Sequence, residues 1–437
     1  MKFSWVYLGG IAVLAGLGTK VLAEKNPSLP PPYDTPSVAR PATVLGWAPK
    51  EAPQAPPGFK VSEFASLRSP RSLFQLPSGD VLVSQSSSGP SSPNQITVFR
   101  MKGSKILAQA VFAKDLNQPF GMAVWKNQFF VAEPKQVLAF PFDGTKITGT
   151  GRVITNLPFP PPQHHWTRHL LMAEDGSKLY VSVGSASNVG ESPDPLDPRT
   201  AAILQMNRDG GDEKIFASGL RNPVSMAWEP TTQSLWTVVN ERDELGDHLP
   251  PDYITHVTEG GFYGWPYAYW GKHEDPRHKG QRPELVEKSL TPDFAVGAHT
   301  AALGITFTTD TPVPAPFNEG ALIALHGSWN RSSLAGYQVL FVPFKNGQAV
   351  DGERVFLDGF IADAAKGTVH GRPVSTLVLR DGTILVSDDS GGKIWRVALT
   401  SPGALCTSGS THGSSAKERK AKAKAGGAGL SAANSRK

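Results

Sequence analysis

Short apolar runs broken by tight-turn residues recur along this chain, and helical periodicity is almost absent. Each unit is an apolar stretch, a turn and a second apolar stretch, the pattern of a two-strand hairpin. Six versions align: Leu73–Gln85, Gly121–Glu133, Leu170–Gly184, Ser225–Asn240, Gly304–Gly327 and Thr376–Asp388. Their starts lie 48, 49, 55, 79 and 72 residues apart. The turns include Pro-Ser-Gly-Asp at 77–80, Glu-Asp-Gly at 174–176 and Arg-Asp-Gly at 380–382, which are good strand connectors. A strand pair repeated about every 40–50 residues marks a propeller, in which each blade is a small four-stranded sheet. The pattern predicts an all-β, six-bladed β-propeller with four-stranded antiparallel blades over residues 59–400. Phe59–Phe64 is expected to be one strand closing the ring; as the opening of a full extra blade it would make seven. The wider spacings leave room for long loops after the fourth and fifth blades, over the channel where propellers bind ligands. Two β-sandwiches would not share one internal repeat.

The ends of the chain read differently. Residues 1–23 carry Lys2, an apolar run from Phe3 to Leu17 and Val21-Leu22-Ala23, the form of a secretory signal peptide. The run is short and glycine-interrupted beside the roughly 20 residues of a permanent span, so no stable membrane span is expected once the signal is cleaved. Residues 24–58 hold Pro27, Pro30, Pro31, Pro32, Pro36 and Pro41 and predict an extended lead-in wrapping the fold. Residues 401–437 form a Ser/Gly/Ala/Lys-rich basic tail without apolar periodicity, expected to be disordered. The net charge of +5 contains +2 from residues 1–23 and +6 from residues 407–437, leaving the body at −3. The basic pI of 9.1 is therefore no argument for nucleic acid. A single cysteine, Cys406, excludes an intrachain disulfide framework and a Cys-x-x-Cys-His haem site.

Polar residues uncommon in cores gather where the repeats begin and end. They include His164-His165-Trp166-Thr167-Arg168-His169, Arg221-Asn222-Pro223, Asn240-Glu241-Arg242-Asp243-Glu244, His299, His326-Gly327-Ser328-Trp329-Asn330-Arg331, His370-Gly371-Arg372-Pro373 and Asp388-Asp389. If the strands radiate from one axis, these segments meet at one end of the channel. Histidine is the natural general base near neutral pH, with an unperturbed pKa of about 6.5. Neighbours on an extended segment point opposite ways, so only one of His164 and His165 can face the axis; His165 is the functional candidate. Arg221, Arg331 and Arg372 would make a clamp for carboxylates or phosphates, although a single arginine more often makes a surface ion pair. Residues 240–247 lack the spacing of an EF-hand loop, yet an irregular loop can hold calcium through carbonyl oxygens. The usual signatures of nicotinamide binding, serine hydrolases and zinc proteases are missing.

Those segments resemble the soluble, pyrroloquinoline quinone (PQQ)-dependent glucose/sorbosone dehydrogenases, over roughly residues 55–400. The motifs that carry the likeness are HHWTRHL…DGSKLYVSVGSASN, GLRNPVSMAWEP, EGGFYGWP, HGSWNR and VHGRPV. The resemblance implies a six-bladed propeller, in agreement with the repeat count, and a sugar substrate. It implies His165 as catalytic base, with Arg221 and Asn222 beneath the quinone near its reactive carbonyl. It also implies Ca²⁺ held by the main-chain carbonyls of Arg242 and Asp243, and Arg331 facing the cofactor. Arg372 matches the second member of an arginine clamp on the cofactor; His370 stands in place of the first. That departure, a longer region after Asn240 and a different loop around 186–200 resemble the sorbosone-dehydrogenase branch more than the glucose one. An external electron acceptor, a quinone or cytochrome, would be needed, and export suits oxidation of sugars outside the cytoplasm. Two other classes remain open on the residues: a calcium-dependent propeller hydrolase, and a non-catalytic propeller that binds glycans or proteins through aromatics such as Trp166, Trp265 and Trp329.

Overall fold

The computed structural model describes residues 23–161, 165–191 and 197–400. Six antiparallel sheets follow one another along the chain. Their first strands are Pro70–Gln75, Met122–Trp125, Leu170–Met172, Pro223–Trp228, Ala302–Phe307 and Pro373–Val378. Each pairs with a second strand: Val81–Gln85, Gln128–Glu133, Lys178–Val183, Leu235–Val239, Gly320–Leu325 and Ile384–Asp388. The first strands contact those of the neighbouring sheets in a closed cycle, so they line the axis of a six-bladed propeller. The predicted repeat is the inner half of each blade.

Burial explains why that half stood out. The second strands Val81–Gln85, Leu235–Val239 and Gly320–Leu325 are buried along their whole length, because a neighbouring blade covers each face and apolar residues are favoured at every position rather than at alternate ones. The outermost strand of the first blade, Lys105–Ala113, is mostly exposed. The core is accordingly divided into six clusters, one at each blade-to-blade interface. Between the fourth and fifth blades, for example, Trp236 meets Phe344 edge-on at 4.8 Å and Phe344 meets Phe307 at 5.0 Å, a favoured aromatic geometry.

The ring is closed as expected by Phe59–Ser66, which pairs antiparallel with Lys393–Leu399 as the outer strand of the sixth blade. In the fifth blade the third strand, Gln338–Lys345, pairs with the outer strand Arg354–Leu357 and, at its far end, with a two-residue strand, Gln348–Ala349. The extra length near the fourth blade lies inside it rather than after it. Between its third strand, Pro251–His256, and its fourth, Phe294–Ala298, the chain makes a small ribbon (Ala268–Tyr269 with His273–Glu274) and a short helix, Pro283–Lys288. Among the described residues no helix is long and apolar enough to cross a membrane. The segment to Leu22 expected to be a signal peptide, His164 and the basic tail from Ser401 lie outside the described residues.

Register decides where the chemistry gathers. Pro70 pairs with Gln85, Pro223 with Val239, Ala302 with Leu325 and Pro373 with Asp388. The start of each first strand therefore lies beside the end of its second. All segments leading into and out of these hairpins open at one mouth of the channel.

Candidate active site

A cavity of ≈ 510 Å³ opens at that mouth, lined by His165, Asn188, Arg221, Asn222, Asp243 and Trp329 among others. Its size falls in the usual range for cofactor sites, about 300–1,000 Å³. His165 sits in the extended stretch just before the third blade. Its Nδ1 lies 2.8 Å from the carbonyl of Ser185 and 3.0 Å from the Ser185 hydroxyl. A carbonyl can only accept, so Nδ1 carries the proton and Nε2 is the basic nitrogen of the neutral ring. The His165 carbonyl in turn accepts from buried Arg168 at 2.8 Å. Ring and backbone are thus both held.

Arg221 is the hub of the cavity wall. Its Nε donates to the Asn188 carbonyl at 3.0 Å and Nη2 to Asn188 Oδ1 at 2.9 Å. Nη1 donates to the Glu241 and Asn240 carbonyls, and Nη2 pairs with Asp243 at 3.3 Å. Burial alone would raise Asp243, but His299 at 3.5 Å and Arg221 override it and hold the carboxyl below its usual range. Burial pushes Glu241 up to about 7 and Asp252 up to about 6, against the pull of Arg221 and of the Glu241 N–H respectively.

A second charged group stands at the same mouth. Arg71 and His326 both engage Asp389, the histidine at 2.9 Å. The Arg71 guanidinium also lies 4.9 Å from the Trp166 ring centre, a cation–π contact. Burial opposes ionisation of Asp389, yet His326, Arg71 and Arg372 together keep it well below the ordinary carboxylate range.

The fold thus brings His165, Arg221, Asn222 and Asp243 to one cavity. The side chains of the other candidates are not among the residues lining it, and the metal role expected of Arg242 belongs to its main-chain carbonyl, not to its side chain. The Arg242 side chain is buried against Asp275 at 3.0 Å. Arg331 donates to the Ala298 carbonyl at 3.3 Å and is not in the cavity wall. His370 bonds the Gly46 carbonyl at 2.9 Å and stacks on Trp47. Arg372 spends Nε and Nη2 on the carbonyls of His326 and Gly327, at 3.0 and 2.7 Å. Asn188, Arg71 and His299 were not assigned from sequence. A usable signal existed for two of them, since His299 shortly precedes its first strand, as Arg221 does, and Arg71 is the second residue of its own. Asn188 carried none, because its partners are 33 and 55 residues away.

A quinone and a cation of the kind the sequence implies fit this wall. Asn222 Oδ1 and Glu241 Oε1 are buried without a hydrogen-bond partner, and both residues line the cavity. Buried acceptors of this kind normally have a partner, and these two could face a cation or a donor. Among the described residues no three His, Cys, Asp or Glu side chains close on one point as metal ligands. A hard cation would therefore rely on main-chain and amide oxygens as well. Space is tightly allotted: a Cβ on Gly184 would lie 2.4 Å from Asn222 Oδ1 and 2.5 Å from His165 Cβ. Gly184→Ala is expected to push Asn222 or His165 aside and to lower stability by about 1–3 kcal/mol, the usual cost of overpacking, as measured by thermal unfolding; an unchanged midpoint would show that both side chains can shift without cost.

The chain has clear relatives. The profile of the TrAA12-like family matches residues 53–400. An uncharacterized protein of Borreliella burgdorferi is 29% identical over 359 residues, covering 79% of this chain and 90% of its own. The holo form of the pyranose dehydrogenase PQQ domain from Coprinopsis cinerea superposes with a TM-score of 0.67 at 18% identity, over 81% of this chain and 99% of that one. A calcium structure of a Trichoderma reesei carbohydrate-active enzyme of family AA12 gives 0.68 at 22% identity, over 82% and 98%. At such identity the two structures speak for the fold, and the profile match speaks for the family: the chain belongs to the TrAA12-like family.

Proposed function

We propose that this protein is an exported, PQQ-dependent dehydrogenase, assisted by Ca²⁺, that oxidises an aldose, sorbosone or related sugar. The observation that carries the reading is the meeting of His165, Arg221, Asn222 and Asp243 in one cavity of cofactor size at the propeller mouth. Family membership supports it, as do the related pyranose dehydrogenase PQQ domain and the calcium structure. When bound, PQQ supplies the two-electron acceptor and Ca²⁺ polarises it.

The residues of this chain divide the remaining work. His165 accepts the sugar hydroxyl proton at Nε2, with its tautomer set by Ser185. Arg221 and Asn222 would lie against the quinone, and the carbonyls of Arg242 and Asp243 would hold the cation. Arg221 is fixed by five acceptors before any ligand arrives. All five of its N–H groups are thereby engaged, so its charge would act on the quinone through space, without rearrangement, rather than through a hydrogen bond. Arg372 remains the proposed contact for the cofactor's carboxylates, with Arg71 and His326 beside it; Arg331 and His370 would reach the ligand only by turning from the carbonyls they now bond. An external quinone or cytochrome would take the electrons onward.

Purified protein mixed with PQQ and Ca²⁺ is expected to reduce an artificial dye saturably with aldoses or sorbosone, and chelation of Ca²⁺ before loading is expected to remove that activity. Failure to bind PQQ under these conditions would sink the reading.

A further inference from the structure

Part of the cavity wall is built from loops, not strands. It consists of the segments around Asp243–Asp247 and Trp329–Ser332, whose positions no sheet ladder sets. Loops of this kind need other anchors to hold a site in shape. Three bonds tie these loops to each other: Glu244 N–H to Asn330 Oδ1 at 2.9 Å, Ser332 N–H to Asp247 Oδ1 at 2.9 Å, and the Ser332 hydroxyl to Asp247 Oδ2. The propeller adds His299 on the Gly246 carbonyl at 2.7 Å, Asn188 Oδ1 on the Asp243 N–H at 2.8 Å and Arg331 on the Ala298 carbonyl at 3.3 Å. A further set of anchors comes from the proline-rich lead-in.

The lead-in crosses both loops in turn. Its Tyr33 N–H donates to the Leu245 carbonyl at 3.0 Å, and Thr35 Oγ1 accepts from the Asp247 N–H at 2.7 Å. Arg40 then makes the central staple. Its main-chain N–H donates to the carbonyl of Trp329, a residue of the cavity wall, at 2.6 Å. Its guanidinium donates through Nη1 to the Ser332 carbonyl at 2.6 Å and through Nη2 to the Ala365 carbonyl at 2.7 Å. Beyond Arg40 the chain adds Thr43–Val44 as a parallel strand on Thr368–Val369. It ends at Trp47, whose indole N–H reaches Asp388 at 2.7 Å, the carboxylate that also accepts the Arg372 N–H at 2.7 Å. Pro30, Pro31, Pro32, Pro36 and Pro41 restrict the free chain, so less conformational entropy is lost when it lies down.

We infer that residues 33–47 are a strap that sets the shape of the cavity's loop wall, with the Arg40 guanidinium as the positioning group that fixes the 329–332 loop through the Ser332 carbonyl and joins it to Ala365. The inference deepens the dehydrogenase reading and rests on it for the effect on sugar. The strap does no chemistry. It holds the loops of three blades in one arrangement, so its loss costs substrate fit rather than turnover.

The test uses full-length protein carrying Arg40→Ala, with Thr35→Val as a lighter second variant that removes one acceptor from the 247 amide. Native-state hydrogen exchange is read first and needs no cofactor. Arg40→Ala is expected to speed exchange about tenfold in residues 327–333 and 364–369 and to leave the blade strands unchanged. Thr35→Val is expected to do so only around 245–247. In protein loaded with PQQ and Ca²⁺, Arg40→Ala is expected to raise the sugar KM about tenfold and keep kcat within about twofold. Unchanged exchange in those loops, or faster exchange across all six blades, overturns the strap. A kcat loss with unaltered KM overturns its role toward substrate. If wild-type protein oxidises no sugar, the dehydrogenase reading falls, and the exchange pattern still decides the strap.

Discussion

Replacing His165 by alanine is expected to lower sugar oxidation by about 10²–10⁴-fold, the range for losing a positioned general base, and to leave PQQ binding within about threefold. The separation follows from how the wall is bonded. Arg221 is held by Asn188, Asn240, Glu241 and Asp243, and none of those bonds uses the imidazole. The proton-accepting nitrogen, by contrast, depends on one ring held by the Ser185 carbonyl. Binding measured by fluorescence titration and turnover measured with a dye should therefore part company. Full activity in the variant would show that another group is the base. Lost binding would show that the ring holds the cofactor instead.

Asp275→Ala is expected to destabilise the protein by about 3–5 kcal/mol, the usual cost of breaking a buried ion pair from one side. Asp275 and Arg242 are 2% and 1% exposed and 3.0 Å apart, so the variant leaves a guanidinium charge enclosed with no carboxylate. The pair joins the fourth blade's insertion to the loop carrying Glu241 and Asp243, and Arg242 also donates to the Glu244 carbonyl at 3.2 Å. The same insertion supports Asn188 through the Trp265 indole at 3.0 Å. Loss of the carboxylate should thus loosen the cavity wall as well as lower stability. The double variant Arg242→Met with Asp275→Leu is expected to recover most of the loss, because an apolar pair of similar volume needs no counter-charge. Chemical denaturation of the three proteins measures both effects. A loss below about 1 kcal/mol for Asp275→Ala would mean that water reaches the arginine.

Much of the blade architecture could be read from residues because it is local. Leu73–Gln85 and Thr376–Asp388 announce hairpins through apolar runs and a turn only a few residues long. Their double-sided burial keeps the first three residues of each second strand apolar, Val81-Leu82-Val83 and Ile384-Leu385-Val386. The outer strands were harder to read, since Lys105–Ala113 faces solvent and accepts almost any residue. The fourth blade's insertion was seen as length but placed one blade-half too late, because nothing local says which hairpin an irregular segment interrupts.

The site divides along the same line. His165, Arg221 and Asn222 were legible because they stand within five residues before a first strand, where pairing register alone carries them to the channel mouth. That much the sequence by itself determined: six blades, one mouth, and which segments arrive there. Only the tertiary structure decided which arriving side chains face the cavity. Arg331 and Arg372 bond carbonyls 33 and 46 residues away, His370 bonds the lead-in 324 residues away, and Asn188 enters the cavity wall through partners 33 and 55 residues away. A side chain's direction at a loop follows the nearest unsatisfied partner, and those partners meet it only after the ring has closed.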